Sequence, residues 1–171
     1  VALAYTAFCE LRSRRALEAL KQMSKAIREA HPSCRLGAIV SADVMADPMI
    51  GLRESGVDLD GLVQSSPDWL AMDFDPRTHK LTRGLTGEKA YASIAGLSAQ
   101  LRSAVKRPEQ AVVLLHTQPG PGGRMSPPWE VNEYLTRLLA AGPFGVMLAP
   151  AMPGQPIADL MTSKPELPES K

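Results

Sequence analysis

The 171-residue chain is short of several things, and each shortage removes a class of function. It has two cysteines, Cys9 and Cys34, and only His31 lies near either of them. That spacing fits no zinc or iron–sulfur motif, so both read as small buried residues and no metal is implied. An excess of one charge is also missing: 19 Lys and Arg stand against 18 Asp and Glu, for a net charge of +1. Nucleic acid and acidic membrane surfaces need a basic footprint that this balance does not provide. No apolar run approaches the ~20 residues that span a bilayer, and no leader pattern is visible. The nucleotide-binding glycine signatures are absent as well. The Gly- and Pro-rich stretch QPGPGGRMSPP (118–128) matches neither of them. No organic cofactor is therefore expected.

What remains is an ordinary globular composition, 44% apolar and 22% charged, organised as a rhythm. Five apolar runs punctuate the chain: Val1–Phe8, Leu36–Ser41, Trp69–Phe74, Ala111–His116 and Phe144–Ala149. Each is nearly continuous and not alternating, as expected of strands buried on both faces of a parallel sheet. Between them lie helical patterns. Arg12–Ala30 carries Leu17, Leu20 and Ile27 on one face and ends at Pro32. Short helices are expected over Pro48–Glu54, closed by Gly56, and over Leu59–Gln64. Thr86 is placed to cap a helix running to Val105, and Ser126-Pro127 to start one that stops at Gly142. The polar, proline-containing residues Thr162–Lys171 read as a flexible tail behind a domain over 1–161.

Strand starts recur roughly every 33 residues, the length of a βαβ unit. The pattern predicts an α/β fold with parallel strands: the C-terminal part, about five units, of a TIM-type (β/α)8 barrel. A small doubly wound sheet is the alternative. The chain opens at Val1 inside a strand-like run, so the remaining N-terminal part of the same barrel is expected upstream.

Both folds bind ligands beyond the carboxyl ends of their strands. Glu10, Asp43 and Asp75 follow the first three runs, Asp73 lies within the third, and His116 ends the fourth. Paired carboxyl groups suit glycoside cleavage, in which one donates a proton and the other assists on the opposite side of the bond. Glu10, Asp43 and Asp75 are the candidate catalytic groups. His116, Gln118, Arg124 and Trp129 are candidate substrate contacts, and Trp69, at the far end of its strand, is expected in the core.

A resemblance enters at Asp68-Trp69-Leu70-Ala71-Met72-Asp73-Phe74-Asp75. This strand resembles one found late in family 18 glycosidases, which implies that Met72 and Asp75 line a sugar site; Asp73, costly to bury within an apolar run without a purpose, is a further candidate substrate contact. A broader pattern covers most of the chain. It comprises Ala26-Ile27-Arg28 before a proline, Asp68-Trp69-x-Ala71-Met72, the Val112–Leu115 strand, a Trp129-bearing helix, and Gly142-Pro143-Phe144-Gly145-Val146. It is similar to the glycosidase-like barrel that follows the deacetylase domain in bacterial poly-N-acetylglucosamine export proteins. That likeness implies a polysaccharide or oligosaccharide substrate and a periplasmic or extracellular setting. The aspartate ladder that precedes the acid in family 18 enzymes has no counterpart before Glu10. This departure favours the other reading, a non-catalytic polysaccharide-binding or scaffolding barrel.

Overall fold

The computed structural model describes residues 2–65, 67–117, 127–141 and 145–149. Four strands form one sheet: β1 (Gly37–Ser41), β2 (Trp69–Phe74), β3 (Ala111–His116) and β4 (Gly145–Ala149). All neighbours are parallel and the order is sequential, β1-β2-β3-β4. A doubly wound sheet would reverse its order; an unbroken succession of parallel neighbours is the arrangement of a barrel wall. No described helix is long and apolar enough to cross a membrane.

The first apolar run departs from expectation. Residues Ala2–Ala30 form one helix, α1, and not a strand followed by a helix. Short apolar runs do not distinguish strand from buried helix, and this one is rich in Ala and Leu, the strongest helix formers. Its start is tied to a π-helical turn at Gly51–Ser55. Tyr5 Oη donates to the Arg53 carbonyl at 3.3 Å, and Arg12 donates to Leu52 and Arg53 carbonyls at 3.2 and 3.0 Å. Cys9 is buried here as expected, but Cys34 is exposed.

The other helices are α2 (Ala42–Ala46), α3 (Pro48–Ile50), α4 (Leu59–Gln64), α5 (Pro76–Arg83), α6 (Glu88–Ala104) and α7 (Pro128–Ala140). Gly56, at φ 68°, closes the π-helical turn in the left-handed conformation, which glycine adopts without penalty. Helix α6 starts after Gly87, one residue beyond the cap expected at Thr86. Helix α5 is polar, and apolar periodicity does not reveal it. Its signal is Asp75-Pro76, an N-cap followed by proline in the first turn.

Strand register sorts the side chains onto two faces. Ala38, Val40, Leu70, Met72, Phe74, Ala111, Val113, Leu115, Val146 and Leu148 lie on the side that packs against the helices. There they meet Ile94, Leu97, Leu101, Val131, Tyr134 and Leu138 in one core. The opposite face carries Ile39, Ala71, Asp73, Val112, Leu114, His116 and Met147 and is partly open. At its lower end the Trp69 ring lies against Gly37, where an added Cβ would come within 1.9 Å of the indole. Trp69 is half-buried at the end of the sheet away from the strand C-termini, on the open face and not in the helix-side core where it was expected.

Candidate functional site

The C-terminal ends of β1, β2 and β3 frame an open cleft of about 280 Å3. Its polar lining comes from three consecutive βα units: Ser41 and Asp43; Asp73, Asp75, Thr78 and His79; and His116. The strands supply the first tier. Ser41 and Asp73 are register partners, so they stand side by side on the open face. His116 ends β3 on that same face and hydrogen-bonds through Nε2 to Asp73 Oδ1. Thr117, which is buried, fixes this strand end by donating from its hydroxyl to the Ala149 carbonyl of β4 at 2.7 Å.

The second tier comes from the turns that follow the strands. Asp43 opens α2, and its Oδ1 is buried, accepts no hydrogen bond among the described residues, and lies 3.5 Å from Arg83 Nε of α5. Asp75 is occupied as the N-cap of α5. It accepts from the Arg77 amide at 3.0 Å and from the Thr78 hydroxyl at 2.7 Å. His79 sits behind the cleft, 4% exposed, with Nε2 at 2.8 Å from the Ser93 hydroxyl of α6. Burial pushes its imidazole below the ordinary value of 6.5; the charge of Asp43 pulls it back up and that of Arg83 pushes it further down.

This arrangement suits proton handling at a polar substrate. Asp73 sets the orientation of the His116 ring through Nε2, which leaves Nδ1 as the second nitrogen available to donate or accept a proton. Arg83 places a fixed positive charge against Asp43. Among the described residues no three His, Cys, Asp or Glu side chains converge to hold a metal ion.

Of the expected site residues, Asp43, Asp73, Asp75 and His116 come together in this cleft. Glu10 does not. It lies on α1 in a separate depression with Arg14, Leu52 and Asp58, because its segment is helical and no strand carries it to the rim. Met72 is also corrected. It is 0% exposed on the helix-facing side of β2, one residue and therefore one face away from Asp73. Trp129 is 49% exposed in the first turn of α7 and does not line the cleft. Gln118 and Arg124 lie outside the described residues. Ser41, Thr78, His79 and Arg83 are additions that sequence reasoning did not supply. The last three follow from recognising Asp75-Pro76 as a helix start.

No family model matches the chain, and no curated protein sequence does. Among solved structures, the chain is similar to the PgaB (BpsB) glycoside hydrolase domain from Bordetella bronchiseptica, with a TM-score of 0.66 over 85% of this chain at 13% identity. The match spans 39% of that chain, so the likeness covers under half of the neighbour's length. The chain thus has the α/β fold of part of a TIM-type barrel, similar to that glycoside hydrolase domain.

Proposed function

We propose that this chain forms part of a glycoside hydrolase-like barrel that cleaves a polysaccharide by carboxylate-assisted acid/base chemistry, without metal or organic cofactor. The observation that carries the reading is the cleft at the strand C-termini, in which Asp73 holds His116 and Asp43 stands on the neighbouring unit. In this reading the Asp73–His116 pair handles the proton of the glycosidic oxygen. Asp43, held beside Arg83, serves as the second carboxylate. Asp75 and Thr78 shape the rim, since the Asp75 carboxylate is committed to the start of α5.

A second reading has its own support. Two of the three expected carboxylates are engaged elsewhere, Asp75 as a helix cap and Glu10 outside the cleft. A cleft with one ion-paired Asp43 and one His-bound Asp73 also fits a polysaccharide-binding module that has no turnover.

Reducing-end release from N-acetylglucosamine polymers, run beside a co-sedimentation assay for binding, tests both readings. The hydrolase reading predicts release that Asp73→Asn and Asp43→Asn each lower by roughly 10²–10⁴-fold, the range of a lost acid/base group. Binding with no release selects the second reading, and neither binding nor release contradicts both.

A further inference from the structure

Behind the cleft lies an ion pair that the proposed function does not use. Lys80 Nζ, on α5, donates to Glu130 Oε1 in the first turn of α7. Neither residue lines the cleft. Glu130 is 7% exposed and Lys80 is half-buried, its ammonium 6.0 and 5.8 Å from the ring centroids of Tyr91 and Tyr134. Tyr134 packs in turn on Phe74, the last residue of β2. Two charges are thus held among aromatic rings, where an apolar pair of similar volume is often as stable or more so. Stability alone does not account for them.

Their place in the fold supplies a reason. Helix α5 has eight residues, PRTHKLTR, too few to be stable without tertiary contacts. Leu81 is its one aliphatic side chain besides proline, so it has no apolar stripe to anchor it. Polar contacts to its neighbours therefore set much of its position, and they run in two directions. Arg83 lies 3.5 Å from Asp43 of α2, in the unit after β1, and Lys80 reaches Glu130 of α7, in the unit after β3. His79 Nε2, 2.8 Å from the Ser93 hydroxyl of α6, holds the helix between them. Lys80 and Arg83 are three residues apart and so are neighbours on the helix surface. A turn or slide of α5 that frees one displaces the other.

We propose that Lys80 and Glu130 are positioning residues: their ion pair fixes the rotation and depth of α5, and through Arg83 the placement of the Asp43 carboxylate at the cleft. Asp43 depends on such a hold, because its Oδ1 is buried and accepts no hydrogen bond among the described residues. Misplacing a reacting group by about 1 Å can lower a rate by roughly 10²-fold. That consequence for turnover rests on the hydrolase reading; the consequence for Asp43 does not.

The first experiment is NMR of the chain without glycan, reading the Asp43 carboxyl carbon and the Arg83 Nε–H. Both signals should move in Lys80→Met/Glu130→Leu, while its denaturant midpoint stays the same or rises. Lys80→Arg, which keeps the charge, should leave both signals in place. Ile94→Val, a truncation in the buried core on α6, should lower the midpoint and also leave them in place. Should the double variant not fold, Glu130→Gln, which keeps the shape of the side chain, is read in the same way. Signals unmoved by loss of the ion pair, or moved as far by Lys80→Arg or Ile94→Val, would overturn the proposal. Reducing-end release is the second experiment. Where the unaltered chain turns over, the double variant should lower kcat by roughly 10²-fold with KM little changed. An unchanged kcat would overturn the positioning role. An unaltered chain that releases nothing would remove the hydrolase reading and leave the NMR comparison to decide the role of the ion pair.

Discussion

On the helix side of the sheet Leu70, Met72, Phe74, Val113 and Leu115 are all fully buried. On the other side of the same strands Ile39 and Met147 are more than half exposed, and Asp73 and His116 border a cleft. Residues adjacent in sequence therefore serve different ends. Met72 fills the core, whereas Asp73, one position later, holds an imidazole at the mouth. Burial without polar atoms stabilises the helix side. The open side carries polar groups that would be costly to bury and that gain from access to solvent.

The sharpest way to break this contrast is to cut one residue from each face of β2. Phe74→Ala removes a fully buried ring that packs on His79 and Tyr134, with ring centroids at 5.0 and 5.6 Å. It should cost about 3–5 kcal/mol in a denaturant titration. Asp73→Asn, on the open face, should cost less than about 1 kcal/mol while removing turnover or binding. Equal losses of stability would erase the distinction between the faces.

His79 lies between the two environments, and its behaviour with pH is the next test. Because burial holds its folded value below 6.5, the unfolded chain takes up the proton first as pH falls. Its contribution is fully present above 6.5 and is lost progressively below that. The melting temperature should therefore fall between neutral and mildly acidic pH, and His79→Gln should flatten that slope. An unchanged slope in the variant would place the titrating group elsewhere.

A smaller effect compares the two ends of the sheet. Asp68 lies at the end away from the cleft and accepts from the Leu36 amide at 2.7 Å and from Arg28 at 3.3 Å. The hydrogen bond from the Leu36 amide holds its carboxyl below the ordinary 3.8; burial opposes this, and the nearby Arg28 and Arg35 add to the lowering. Its stabilisation is complete above that ordinary value and is lost as pH falls through the lowered one. Asp68→Asn should cost about 1 kcal/mol, given its exposure, and should leave activity intact. A loss of activity would show that the two ends are not separate in function.

The smallest change tests how dry the helix side is. The Tyr134 hydroxyl is buried and has no hydrogen-bond partner among the described residues, and burial raises its pKa well above the usual range. Tyr134→Phe should be neutral or stabilising by up to about 1 kcal/mol in thermal melts. A clear destabilisation would mean that a partner for the hydroxyl exists.

Strands β2 and β3 have the bounds that their apolar runs predict, because most residues on both faces are apolar even though the described helices pack on one face only. The Val1–Phe8 run is apolar like the strands but carries three alanines, and it is helical from Ala2. Glu10 left the site with that strand. The rule that ligands bind beyond strand ends placed Asp43, Asp73, Asp75 and His116 at one rim, and all four line the cleft. It could not find His79 or Arg83, which lie on α5, a helix without apolar periodicity. Period-two alternation along β2 separates Met72 from Asp73 and was the available signal that Met72 faces the core.

The proposed function requires that ligand bind in the cleft at the ends of β1, β2 and β3. Amide and His-ring NMR spectra recorded while an N-acetylglucosamine oligosaccharide is titrated into the chain test this directly. Saturable shifts concentrated at Ser41–Val44, Asp73–His79 and His116–Thr117, abolished by Asp73→Asn, are expected. Shifts centred on Glu10, Arg14 and Asp58, or none at those strand ends, would contradict it.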